Sequence, residues 1–490
     1  MEHLPPGLQD VFENVGSLLG LNLVLAAFLS LQIANLLIAF GFRYIAAPSI
    51  RKIVSGTVGL LWCWILHDVQ NTLILLGLST GVYFLAVQNI VSPPKITMLA
   101  IVVLSYFHIS RMITAYMSWS LDVTAPLMLL TAKYTTFAYD LEDGRKKKKD
   151  IALSADPHVA DARSKTCVVE APTLMEYYVF IFDFLGIIAG PIFGLREYLD
   201  FLYLRNDFAD LKHVHFLKII LERLVYALLM GGAYAIAGTI PYLSFDYTYT
   251  DAYMNSSFFG RLVAVHLMSV ANRLKYYFAW YMSDVAGLIS GIGYNPTNRD
   301  KFSRSQNAIF TKVDLANCQA EAMSRWNISI SKWLRCCIYL RANEAPLPRF
   351  LKGIIGHRQY ATILTRFVSA FWHGFYPGYY LAFLCTVFQF EADSVARKYI
   401  KPLFIKEGQT KPHWIYTLVG KIHTAYCLET YGSAFLVLSA SASLHIWTSL
   451  YFAIHLFNIA TIIFVPVICK KVFHVKMPKI GTPPNEKKSQ

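Results

Sequence analysis

Long apolar windows recur along the whole chain, at about 18–42, 53–66, 69–91, 96–117, 119–132, 177–194, 216–242, 258–293, 360–390, 414–440 and 442–469. A helix needs roughly 20 apolar residues to cross the hydrocarbon of a bilayer, so this repetition points to an all-α, polytopic membrane protein. Several windows are too short to cross alone. Counted as re-entrant or merged segments they give about 9–11 transmembrane or re-entrant helices, because irregular backbone at membrane depth survives only where protein shields it. Composition agrees, with 55% hydrophobic and only 16% charged residues and a mean hydropathy of +0.41. Soluble domains carry less apolar and more charged sequence.

The charged residues lie where a membrane chain needs them. No Lys or Arg precedes Arg43, whereas Arg43, Arg51 and Lys52 follow the first window. The preference of basic residues for the cytosolic side therefore puts the N-terminus outside the cytosol, and the lack of a basic stretch before Gly16 predicts a retained anchor rather than a cleaved signal peptide. The net charge of +14 sits in hydrophilic connections such as Arg145–Lys149 and in the C-terminal tail, which argues for cytosolic loops and against nucleic acid as a partner. The eight cysteines form no metal-spaced pair and no secreted disulfide pattern, so neither a metal nor a disulfide framework is expected. The reading is a single integral membrane domain over residues 1–480, with a polar loop at 139–172 and a cytosolic tail at 481–490. Within that tail, Lys487–Lys488 resembles the dilysine signal of endoplasmic-reticulum membrane proteins. No internal repeat is evident, which disfavours a pseudo-symmetric transporter.

Two segments carry polar groups that anchoring alone does not require. His373 stands in an aromatic stretch running from Thr365 to Phe383, where an ionisable group is costly to keep and imidazole is the side chain suited to moving a proton near neutrality. Pro377 lacks the N–H that would bond the His373 carbonyl in a continuous helix, and with Gly374 and Gly378 beside it a local break is expected. The second segment, Trp326–Arg341, has Trp326, Ile330, Trp333, Leu334 and Ile338 at helical spacing with Lys332, Arg335 and Arg341 interleaved, the pattern of a helix lying at a membrane interface.

Trp326-Asn327-Ile328, Trp333-Leu334 and Ser369–Tyr380, together with Asp143-Gly144, Leu174–Tyr178, Gly190-Pro191, Arg273–Trp280 and Gly291–Asn295, resemble the membrane-bound O-acyltransferase family over about residues 100–390. The likeness is to its lysophospholipid acyltransferase branch. Within it, Arg273–Trp280 is most similar to members that reacylate lysophosphatidylethanolamine and lysophosphatidylserine. The resemblance implies a helical bundle around a catalytic tunnel in the endoplasmic-reticulum membrane. The implied activity is transfer of a fatty acyl group from acyl-CoA to the free glycerol hydroxyl of a lysophospholipid, with His373 and Asn327 at the two catalytic positions. Acyl-CoA, lysophospholipid and membrane lipids are the partners expected, a homodimer is left open, and acyl-CoA serves as co-substrate with no cofactor.

The chemistry supports that division of roles. A hydroxyl needs its proton removed as it attacks, which imidazole can do, while the thioester already provides a leaving group. Asn327 offers both a donor and an acceptor; it could orient the hydroxyl, hold the His373 tautomer or donate to the oxyanion, and the sequence does not separate these. Trp326, Trp372, Arg273, Lys275, Tyr276, Lys332 and Arg335 are candidate substrate contacts, the cations for phosphate and the aromatics for packing or lipid. His108 and Arg111 are read as structural or cavity-lining, and Glu176 and Gly190-Pro191 as scaffold. The alternatives are a sterol, diacylglycerol or protein acceptor for the same catalytic pair, and a lipid transporter. A serine-hydrolase elbow, a P-loop and an HExxH zinc motif are all missing.

Overall fold

In the computed structural model, residues 3–117, 122–406 and 409–471 are described; the tail with Lys487 and Lys488 lies outside them. Helices dominate, and no strand occurs among the described residues. Five helices are long and apolar enough to cross a bilayer: Leu23–Arg43, Pro48–Val87, Pro93–Thr114, Leu217–Gly238 and Ala453–Lys471. Their outward faces are bare leucine and isoleucine, with Leu217, Leu228, Leu229 and Ile236 all exposed, as a surface solvated by lipid requires. Other windows fold as helices carrying buried charge, notably Phe258–Ser290 with Arg273 and Asp284, and Trp414–Val437 with Glu429.

Window boundaries in the sequence do not coincide with helix boundaries. The windows 53–66 and 69–91 form one 40-residue element kinked at Asp68 (φ 73°, ψ 174°), where the Asp68 carboxylate accepts from the Asn71 N–H at 2.8 Å and caps the second half. Window 442–469 is instead two helices, Ala440–Ser449 and Ala453–Lys471.

Window 177–194 is helical only over Leu174–Ile181. Its continuation is irregular and sealed in the protein, with Ile181, Phe182, Phe184 and Leu185 at most 1% exposed. Buried backbone of this kind needs polar partners. Lys133 supplies them, donating its Nζ to the carbonyls of Phe180 at 2.8 Å and Ile181 at 2.9 Å while pairing with the buried Asp183 carboxylate. The 48–87 element packs directly against this turn at Gly59, where any Cβ would collide with the Phe182 carbonyl.

Two expectations need correction. The polar stretch 139–172 is not a loop throughout: the Thr124–Lys148 helix runs through its first ten residues, and Pro157–Thr166 is a second helix capped by Asp156. The polar face that suggested a loop is met inside the protein, where Arg341 pairs with the buried carboxylate of Asp143. The segment 326–341 is not one continuous amphipathic helix resting its apolar face on lipid. It forms an α-turn, Ile328–Trp333, and then a π-helix, Leu334–Tyr339. Its apolar face, with Ile330, Trp333, Leu334 and Ile338 each at most 9% exposed, is covered by protein, and Trp333 packs on Trp372 (ring centroids 5.9 Å apart).

Candidate active site

Asn327 stands at the start of the Ile328–Trp333 helix in a left-handed conformation (φ 45°, ψ 60°), which asparagine tolerates better than most residues. Asn307, 2% exposed, grips this turn. Its backbone carbonyl accepts from the Ile328 N–H at 2.8 Å, its Oδ1 accepts from the Ser329 N–H at 3.0 Å, and its Nδ2 donates to Asn327 Oδ1 at 3.2 Å. Trp326 is nested against Trp280, Tyr277 and Tyr276, with ring centroids 4.8, 5.4 and 5.7 Å away.

His373 is the last residue of the His357–His373 helix. The chain turns at Gly374 (φ 123°, ψ −162°) and a new helix, Pro377–Val395, begins with Pro377 in its first turn. The expected break is therefore present, as a full end of one helix and start of another. Gly378 N–H donates across the gap to the Leu438 carbonyl at 2.7 Å. The freed Trp372 carbonyl takes the His108 ring, Nε2 at 3.1 Å. His108, read from the sequence as structural or cavity-lining, so meets the chain next to His373, and a Cβ at Gly374 would come 3.2 Å from its Nδ1. The His373 imidazole packs on Phe435, Phe383 and Tyr379, with centroids 4.9, 5.2 and 5.4 Å away. No hydrogen bond engages its nitrogens among the described residues. Both His373 and Asn327 keep an accessible face rather than being sealed in the core.

The segments bearing these residues abut. Trp333, one turn and a half beyond Asn327, stacks its ring near Trp372, whose own ring lies 4.6 Å from that of His373. On the other side Trp326 packs on Tyr276. A 520 Å³ cavity lies elsewhere in the protein, lined by Asn272, Tyr234, Asp246, Leu436, Val437 and Ser439 among others, and neither Asn327 nor His373 lines it.

The remaining candidates divide sharply. Lys332 and Arg335 are exposed, and no ion pair holds either among the described residues; both are free to meet phosphate. Lys275 lies over the Tyr276 ring at 5.3 Å. Trp372 is 3% exposed and donates its indole N–H to the Met128 carbonyl at 2.8 Å, so it braces the helix end instead of facing open space. Arg273, a candidate for phosphate, is held by the chain's own carboxylates: Glu429 at 2.8 and 3.0 Å and Asp314 at 2.7 Å. Tyr277 donates to Asp314 at 3.1 Å, and His266 Nδ1 lies 3.3 Å from Glu429. Tyr379 falls inside the Ser369–Tyr380 motif, whereas Asn307 and Phe435 are not legible in the sequence as neighbours of the two candidates, since an asparagine in a polar segment and an aromatic in an apolar one carry no signal without their contacts. Among the described residues no cluster of three or more His, Cys, Asp or Glu is arranged to hold a metal ion.

The fold defines an all-helical polytopic membrane protein. The model of MBOAT, the membrane-bound O-acyltransferase family, matches residues 110–441, which take in both Asn327 and His373, and the chain belongs to that family. It is 29% identical over 430 residues to a lysophospholipid acyltransferase of Schizosaccharomyces pombe, covering 85% of this chain and 81% of that protein. It is 26% identical over 477 residues to membrane-bound glycerophospholipid O-acyltransferase 1 of Mus musculus, covering 92% of each. With lysophospholipid acyltransferase 6 of Drosophila melanogaster it shares 25% identity over 482 residues, 93% of this chain and 63% of the fly protein's length.

Proposed function

We propose that this protein is a lysophospholipid O-acyltransferase of the endoplasmic-reticulum membrane, moving a fatty acyl group from acyl-CoA to the free glycerol hydroxyl of a lysophospholipid. Relatives that match nearly the whole chain bear names of that activity. The observation that carries the chemical part is His373 itself: an imidazole at a helix end, walled by aromatics, with an accessible face and no protein partner for its nitrogens among the described residues. A ring that is accessible and not engaged by the protein is available to accept a proton from a bound hydroxyl.

In this reading the imidazole takes the hydroxyl proton as the oxygen attacks the thioester carbonyl. The tetrahedral oxyanion collapses, the C–S bond breaks, and the CoA thiolate leaves and recovers the proton from the imidazolium. The thioester supplies the leaving group, so no resident cofactor is needed. Exposed Lys332 and Arg335 offer charge for the phosphates of CoA.

Purified protein in detergent or nanodiscs, given labelled acyl-CoA, should form labelled phospholipid only when lysophospholipid is present. His373→Ala should abolish turnover at equal expression. Acylation of a sterol, diacylglycerol or protein in place of lysophospholipid would overturn the acceptor assignment, and full turnover by His373→Ala would overturn the base.

A further inference from the structure

We propose that Asn307 is a positioning residue that commits Asn327 to act as a hydrogen-bond donor during acyl transfer. The inference rests on the catalytic reading of Asn327 above and goes beyond it by choosing among three roles that the sequence leaves open.

The Ser329 backbone N–H can only donate, and its partner at 3.0 Å is Asn307 Oδ1. That bond fixes the Asn307 amide with its oxygen toward Ser329 and its NH2 toward Asn327. Asn327 must then present its own oxygen to that NH2, the 3.2 Å bond of the structure. With its Oδ1 turned toward Asn307, the Asn327 amide directs its NH2 away from that partner. The backbone holds the relay in place: Asn307 carbonyl receives the Ile328 N–H at 2.8 Å, and Asn327 carbonyl receives the Ser331 N–H at 2.9 Å. Asn307 is 2% exposed while Asn327 keeps an accessible face, so the inner residue is shielded and the outer one meets substrate. A donor so oriented in advance suits the thioester oxygen, which gains negative charge in the transition state, better than the hydroxyl proton or the imidazole N–H that sets the tautomer of a base, either of which would need an acceptor.

Asn307→Asp tests this with little change in shape. The carboxylate still accepts from Ser329 N–H but no longer donates, so the Asn327 amide turns its NH2 inward and its oxygen toward the reacting atoms. The expected result is a fall in kcat of about 10²–10³-fold, the loss typical of one preorganised oxyanion donor, with KM for acyl-CoA and lysophospholipid unchanged. In an Asn327→Ala background the same substitution should cause no further loss. A kcat near wild type, a loss residing in KM, or the same fold loss in both backgrounds would overturn the proposal. If Asn307→Asp does not fold, Asn327→Asp decides: it retains the acceptor facing Asn307 but has no N–H to offer, so it should lose activity while keeping the thermal midpoint of the wild type. Wild-type turnover by Asn327→Asp would refute the donor role. Failure of the wild-type enzyme to acylate any lysophospholipid would instead refute the functional reading on which the proposal rests.

Discussion

Removing the Arg273 guanidinium should destabilise the protein without weakening acyl-CoA binding. Arg273 is bidentate to Glu429, a carboxylate 1% exposed, and also pairs with Asp314. Arg273→Ala leaves Glu429 buried with only the His266 Nδ1 at 3.3 Å for charge compensation. Breaking one partner of a buried ion pair costs about 3–5 kcal/mol, chiefly the penalty of the stranded charge. The thermal midpoint in detergent should therefore fall by several degrees, and the half-life at fixed temperature should shorten. Neutralising the stranded group in Arg273→Ala/Glu429→Gln should restore part of the loss, with a coupling of about 0.5–3 kcal/mol between the two sites. KM for acyl-CoA, measured on the surviving fraction at low temperature, should stay at the wild-type value. The result that would refute this reasoning is the opposite pair: an unchanged midpoint with KM for acyl-CoA raised many-fold, the signature of a phosphate ligand.

Three further outcomes follow from particular contacts. Gly374 has a backbone conformation essentially restricted to glycine, and an added Cβ would press on His108 at 3.2 Å; Gly374→Ala should shift His373 and lower kcat by about 10²-fold or more, the typical effect of a 1 Å misplacement, and a wild-type kcat would show the turn to be dispensable. Lys332→Ala or Arg335→Ala should raise KM for acyl-CoA by about tenfold, from about 1.5 kcal/mol per lost charge-assisted contact, with the gap narrowing at high salt; a salt-independent KM would exclude direct phosphate contact. Burial and the neighbouring Asp143 push the Asp140 carboxyl up to about 8, so the folded state holds a proton that the unfolded chain releases near pH 4, and stability falls as pH rises across that window. Asp140→Asn, neutral throughout, should raise the thermal midpoint over wild type at about pH 8–9 and lose that advantage toward about pH 5; a pH-independent difference would contradict the assignment.

How far the sequence can be read follows from which interactions are local. Hydrophobic windows depend on composition alone, so the all-helical membrane fold is legible, and Trp326-Asn327-Ile328 and the motif around His373 suffice to mark the two catalytic candidates. Helix ends are not legible: Asp68 kinks one element into what reads as two windows, and Lys133 stabilises an irregular turn that reads as a crossing. Arg273 looks like a phosphate ligand because nothing nearby in sequence could neutralise it; its partners Asp314 and Glu429 stand 41 and 156 residues away.

The chain by itself determined that its helices must bury their backbone groups from lipid and that an imidazole and an amide sit among apolar neighbours, since both follow from side-chain chemistry at each position. Only the tertiary structure decided that Asn307 hydrogen-bonds the Asn327 amide, that His108 meets the end of the His373 helix, and that the apolar face of the Trp326–Arg341 segment packs inward. Those outcomes depend on directional hydrogen bonds and ring contacts between residues remote in sequence, which exist only once the chain has packed.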